Sequence, residues 1–169
     1  IARYLNFGEE NEIKVVADNS SEENSRWYSG SGIYRGVSLY VGDPVQIPLN
    51  GVRITTEEAD KDAAVVEIST MVANRSRKKE KLVVTVKFED EEHQVYEDRV
   101  HLTSFAESQN TVHQKIAIEK PKLWNCETPH LYRCTIQIYA GEELLDEQEL
   151  SYGIRKITLD ALRGQIGRA

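Results

Sequence analysis

The chain has 169 residues, room for one domain of ordinary size plus an appendage. Its formal net charge of −7 and pI of about 5.2 repel nucleic-acid phosphates, and its one dense basic run, Arg75–Lys81, has no interleaved aromatics and reads as a solvated turn. No apolar run approaches the roughly 20 residues a membrane helix needs, so neither nucleic acid nor membrane is an expected partner.

The chain opens on Ile-Ala-Arg-Tyr-Leu, with no initiator Met and no signal-peptide pattern, as if cut from something longer. The compartment is therefore not fixed by the sequence. Residues 12–17 (Glu-Ile-Lys-Val-Val-Ala) and 33–41 (Ile-Tyr-Arg-Gly-Val-Ser-Leu-Tyr-Val) are rich in β-branched and aromatic residues and predict strands. Between them the polar stretch Asp18–Arg26 and then Trp27-Tyr-Ser-Gly-Ser-Gly32 predict a loop. Gly42-Asp43-Pro44 breaks the pattern and marks a boundary.

Beyond it, strands are predicted at 45–54, 63–74, 81–88, 94–101, 109–118, 131–139 and 143–152, with a last extended run at 154–159. Leu82, Val84, Val86 and Phe88 share one face of their strand, as do Tyr132, Cys134, Ile136 and Ile138 of theirs. Glu89–His93 reads as a polar hairpin tip, and Gly141-Glu142 as a second tight turn. Glu57–Asp62 is the nearest thing to a helical turn. About seven short strands at this spacing predict an all-β, immunoglobulin-like sandwich. The Cys–Trp–Cys pattern of antibody domains is missing: Trp124 lies outside every predicted strand, and Cys126 and Cys134 read as a loop thiol and a core thiol.

The chemistry-bearing residues do not converge. There is no Gly-x-Ser-x-Gly elbow, no phosphate loop and no dinucleotide fingerprint. His93, His101, His113 and His130 are scattered; His93 and His101 with Glu91 or Glu92 reach one ion only across a hairpin, so exposed strand and turn histidines are the preferred reading. Acids fall in predicted turns at Glu57-Glu58, Glu89–Glu92, Glu142-Glu143 and Asp146–Glu149, where solvent denies them the rigidity and desolvation that glycoside hydrolysis demands. No catalytic, cofactor or metal residue is therefore assigned. Arg26–Arg35 stands out as aromatic- and Gly-rich, either as a sugar-stacking loop or as core anchors beside a tight turn.

Asn24-Ser-Arg-Trp-Tyr-Ser-Gly-Ser-Gly-Ile-Tyr-Arg-Gly-Val-Ser-Leu39 resembles the segment that closes the sugar-binding jelly roll of family 2 glycoside hydrolases, the β-galactosidase type. Pro121-Lys-Leu-Trp-Asn-Cys-Glu-Thr-Pro-His-Leu-Tyr132 looks like the Leu-Trp…Pro-x-Leu-Tyr segment near the end of that family's second, immunoglobulin-like domain, and Gly153-Ile-Arg-Lys-Ile157 looks like the strand leading to its catalytic barrel. The resemblance implies that 1–43 is the last part of a jelly roll, 44–158 the complete sandwich, and 159–169 the start of a linker. The barrel, with its acid/base and nucleophile glutamates, would follow. It also implies that Ser25, Arg26 and Trp27 lie near the substrate pocket, although the acid that β-galactosidases often carry there is not among them. The implied role is a non-catalytic scaffold of a retaining β-glycosidase, with its own barrel as partner and self-association through residues 1–43. The alternative is a stand-alone carbohydrate-binding or adhesion module.

Overall fold

The structure, a computed structural model, describes residues 4–20, 30–160 and 165–168, with 158–160 and 165–168 described by backbone alone. It divides into two compact units, 1–40 and 41–169. The elements of the described residues are ten strands, all in the second unit: β1 (Val45–Gln46), β2 (Val52–Ala59), β3 (Ala63–Asn74), β4 (Glu80–Glu89), β5 (Val95–Ser104), β6 (Ser108–Glu119), β7 (Tyr132–Ala140), β8 (Glu143–Tyr152), β9 (Ile157–Asp160) and β10 (Gln165–Arg168).

Eight of them make the sandwich. In one sheet β3 is central, with β6 along one edge and both β2 and β1 along the other. The second sheet runs β5-β4-β7-β8, entirely antiparallel. The alternation read from the sequence decides which side of each strand is dry. Leu82, Val84, Val86 and Phe88 of β4, with Tyr132, Cys134, Ile136 and Ile138 of β7, are buried against Ala64, Val66, Ile68, Val72, Ile116 and Ile118 of the opposite sheet. Each such aliphatic side chain contributes about 1.5–3 kcal/mol by leaving water. Phe88 is the largest of them, edge-on to Tyr152 at 6.2 Å and tilted against Tyr132 at 6.1 Å between ring centroids.

Three sequence expectations change. The single strand expected at 45–54 is two, because Pro48-Leu49-Asn50-Gly51 makes a turn: Gly51 N–H donates to Pro48 C=O at 2.8 Å and Asn50 takes φ 59°. A side chain at Gly51 would meet the Pro48 carbonyl at 2.7 Å, so glycine is required there by space. The acids Glu57-Glu58 and Asp146–Glu149, expected in turns, sit in β2 and β8, with a bulge between Thr56 and Glu58. Finally, residues 12–17 and 33–41 form no strand. They have strand composition, but a strand exists only by pairing, and no described residue pairs with them. Their apolar side chains, among them Ile13, Val15, Tyr34, Val37, Tyr40 and Val41, are exposed. The extended run expected at 154–159 begins as β9 at Ile157 and pairs with β10, Ile157 opposite Arg168.

Two side chains stitch the sheets at the β1 edge. Asp146 Oδ2 accepts from Ile47 N–H at 2.7 Å, and Gln148 Nε2 donates to Ile47 C=O at 3.3 Å. Ile47 itself is buried, so these bonds satisfy backbone groups that the short β1 cannot.

Candidate functional site

The most built part of the surface lies where the β6–β7 crossover meets the end of β8. Pro121–Leu131 has no regular structure, yet its polar groups are accounted for. The Asn125 side chain caps the loop, its Oδ1 accepting from Glu127 N–H at 2.8 Å and Thr128 N–H at 2.7 Å while its Nδ2 donates to Thr128 Oγ1 at 2.6 Å. Tyr132, buried at the start of β7, accepts the Lys122 N–H on its Oη at 2.9 Å, the corner bond that sandwiches of this kind use to pin a crossover.

Trp124 then closes the corner against the exit of β8. Its backbone N–H donates to Ile154 C=O at 2.8 Å, and the Arg155 guanidinium lies 4.7 Å from its ring centroid. Such a cation–π contact is worth about 0.5–1 kcal/mol at a partly wet site. Gly153 is pressed so closely to the indole that a Cβ there would stand 2.7 Å from Cδ1 and 2.8 Å from Cγ. Trp124, Ser151, Tyr152, Gly153 and Arg155 line a shallow recess of about 390 Å³. From it two bonds reach back to β2: Tyr152 Oη with Thr56 Oγ1 at 2.9 Å, and the Lys156–Glu58 ion pair. The Leu-Trp and Gly-Ile-Arg patches, remote in sequence, are one packed unit.

The β4–β5 hairpin tip is fastened to the same crossover. Asp90 Oδ1 accepts the N–H groups of Glu92 and Gln94, each at 2.9 Å, and Lys122 Nζ lies 2.8 Å from Glu92 and 3.6 Å from Asp90. Burial alone would raise the Asp90 pKa, but these amides and the Lys122 charge hold it below the usual carboxylate range. Lys122 is pushed up in turn, chiefly by its hydrogen bond to Glu92.

Nothing in this electrostatics makes a proton donor. Asp18, Glu57, Asp60 and Asp90 are all lowered, by hydrogen bonds from Ser20, Lys115, the Ala63 amide and the groups just named. A glycosidase acid must be shifted the other way. On the outer face of the β3 sheet, Ser69, His113 and Glu67 imitate a nucleophile–base–acid row, with Ser69 Oγ at 3.0 Å and Glu67 Oε1 at 3.1 Å from His113. Both contacts are to the same nitrogen, Nδ1, whereas a working row needs the serine on one ring nitrogen and the carboxylate on the other.

The histidines stay apart as well. His93, at the tip with φ 62°, pairs with Glu89 at 2.5 Å, while His101 lies in β5 opposite Val83. No group of three His, Cys, Asp or Glu among the described residues is arranged to hold a metal ion. Cys126 is exposed in the crossover; Cys134 is buried in β7, where desolvation pushes its thiol up to about 12. The sequence-derived candidates Ser25, Arg26 and Trp27 lie outside the described residues.

One buried group escaped the sequence reading. Gln114 of β6 lies between the sheets, its Nε2 donating to Asp98 Oδ2 and Asp98 C=O, both at 3.1 Å, while its Oε1 has no partner. The signal was there: Gln114 falls on the inward parity of Val112, Ile116 and Ile118.

Comparison with known proteins matches these features. A β-galactosidase of Bacteroides ovatus is 35% identical over 162 residues, covering 95% of this chain and 19% of its own length. A β-glucuronidase of Formosa agariphila is 24% identical, covering 90% of this chain and 18% of its own. Among solved structures, a glycosyl hydrolase family 2 member from Bacteroides cellulosilyticus superposes with a TM-score of 0.82 at 27% identity, over 90% of this chain and 21% of that one. The chain thus spans about a fifth of the length of such relatives. The sequence model of the glycosyl hydrolases family 2 matches residues 47–155, from the turn after β1 to the Arg155 that stacks on Trp124, and the chain belongs to that family.

Proposed function

We propose that this chain is the non-catalytic scaffold portion of a retaining β-glycosidase that removes terminal β-glycosides, galactosides foremost. In this reading residues 44–158 are a complete second domain, 1–43 are the last part of a sugar-binding jelly roll, and 159–169 begin the link to a (β/α)₈ barrel. The barrel is this chain's partner and carries two glutamates about 5 Å apart that form and hydrolyse a glycosyl-enzyme. Ser25, Arg26 and Trp27 lie at the rim of its pocket.

The observation that carries the proposal is the Trp124–Gly153–Arg155 corner. It spends an aromatic side chain, a glycine and a cation on fixing the direction in which the backbone leaves the sandwich, which is what a domain that aims its successor needs. The lowered acids support the division of labour, since the described carboxylates with resolved shifts are better anions than proton donors.

The test has two arms. The purified chain is incubated with aryl β-galactoside and β-glucuronide, and the gene is read downstream of residue 169. No turnover above buffer and a following glutamate-bearing barrel are expected. Turnover by the chain alone overturns the scaffold reading, and micromolar saturable quenching of tryptophan fluorescence by galactose or lactose turns it toward a stand-alone carbohydrate-binding module.

A further inference from the structure

We propose that residues 33–41 pair antiparallel with the same residues of a second copy of this chain, about a two-fold axis at Val37.

The segment Ile33-Tyr-Arg-Gly-Val-Ser-Leu-Tyr-Val41 reads nearly the same in both directions from its centre. Laid antiparallel on itself with Val37 opposite Val37, it sets Ile33 against Val41, Tyr34 against Tyr40, and Gly36 against Ser38. Apolar, aromatic and small side chains meet their own kind. Aromatic and β-branched cross-strand pairs are the unit of sheet stabilisation, each worth more than a pair of alanines. The only charge, Arg35, falls opposite Leu39 and so meets no like charge, and its guanidinium already lies over its own Tyr34 ring at 5.3 Å. A two-fold contact of this kind is self-complementary and closes on itself.

The surface is free to do this. Ile33, Tyr34, Val37, Leu39, Tyr40 and Val41 are 60% to 89% exposed, and the stretch belongs to no strand. It also lacks what exposed strands use against edge pairing: it holds no proline, no bulge and no lysine. The other strand-like stretch, 12–17, is a poorer match to itself. Folded about its centre it sets Lys14 against Val15 and Glu12 against Ala17, in a shorter window with two charges. The self-pairing is therefore assigned to 33–41.

Disulfide trapping tests the register directly. In the full chain carrying Cys126→Ser, which removes the exposed thiol, Val37→Cys is compared with Leu39→Cys under mild oxidation. In the proposed register the two Cα atoms at position 37 are about 4.5–5.5 Å apart, inside disulfide range, whereas the two at 39 are about 13 Å apart, four residues along the strand, and outside it. A covalent dimer from Val37→Cys and none from Leu39→Cys is expected. Mixing Ile33→Cys with Val41→Cys chains gives a second cross-link in the same register. Equal trapping at 37 and 39 means unregistered association, and no trapping at 37 means another occupant; either overturns the proposal. Thermal unfolding of the sandwich stays unchanged in the Val37→Cys and Leu39→Cys variants relative to their Cys126→Ser parent, since both positions lie in the other unit.

Discussion

Gly153→Ala isolates the Trp124 corner with a single methyl group. The added Cβ would stand 2.7, 2.8 and 2.9 Å from Trp124 Cδ1, Cγ and Cβ, about 1 Å inside the roughly 3.5–4 Å at which carbon atoms attract. The indole cannot retreat freely, because the Trp124 backbone N–H is tied to Ile154 C=O at 2.8 Å and Arg155 lies over the ring. Overpacking of this kind destabilises by about 1–3 kcal/mol, or roughly 4 °C of Tm per kcal/mol for a domain of this size. Urea unfolding followed by tryptophan fluorescence, in a Trp27→Phe background so that Trp124 alone reports, measures it. The control is Trp124→Ala, followed by circular dichroism, which removes what the methyl group strikes. In that background Gly153→Ala should become close to neutral, leaving a coupling energy of at least about 1 kcal/mol in the double-mutant cycle. If Gly153→Ala is harmless in the parent, or equally harmful in both backgrounds, the steric account of the corner is wrong.

Three further outcomes follow from other parts of the sandwich. Gln114→Glu sets a carboxylate against Asp98 between the sheets, and should destabilise by about 2–4 kcal/mol at pH 7. The new acid's pKa is raised in the folded state, so the loss appears as pH rises above about 4.3 and vanishes below it, which denaturant titrations at several pH values will show. Asp90 behaves oppositely: its folded pKa is lowered from 3.8, so its contribution is present above that pH and is lost as pH falls through the lower folded value, and Asp90→Asn should flatten this acid limb of the stability curve. Ellman's reagent at neutral pH should label one cysteine per native chain, Cys126, and both after denaturation, because Cys134 is buried with its thiol pushed up to about 12.

How much could be read in advance differed by element. The β4 and β7 faces were legible because period-2 alternation is local: Leu82–Phe88 and Tyr132–Ile138 state which side is dry without reference to any partner. The split of 45–54 was not, since a turn at Pro48–Gly51 competes with strand composition on either side of it, and only the bonds to Arg75, Met71 and Asp146 decide between them. The acids of β8 looked like a turn because an edge strand with one wet face has the composition of a loop. Residues 12–17 and 33–41 failed for the converse reason, having strand composition and no described partner. As for the site, Trp124 and Gly153 were visible only as separate patches of resemblance, and Ser25, Arg26 and Trp27 fall outside the described residues.

By itself the order of residues determined an all-β chain, the buried parity of its central strands, its hairpin tips and its family likeness, because each of these is a property of neighbours along the backbone. Tertiary structure alone decided that β5 joins β4 rather than the sheet of β3 and β6, that Lys122 fastens the hairpin tip, and that Trp124 lands on Gly153. Those are contacts between residues distant in the chain. Their geometry is set by how two twisted sheets fill the space between them, which no local pattern encodes.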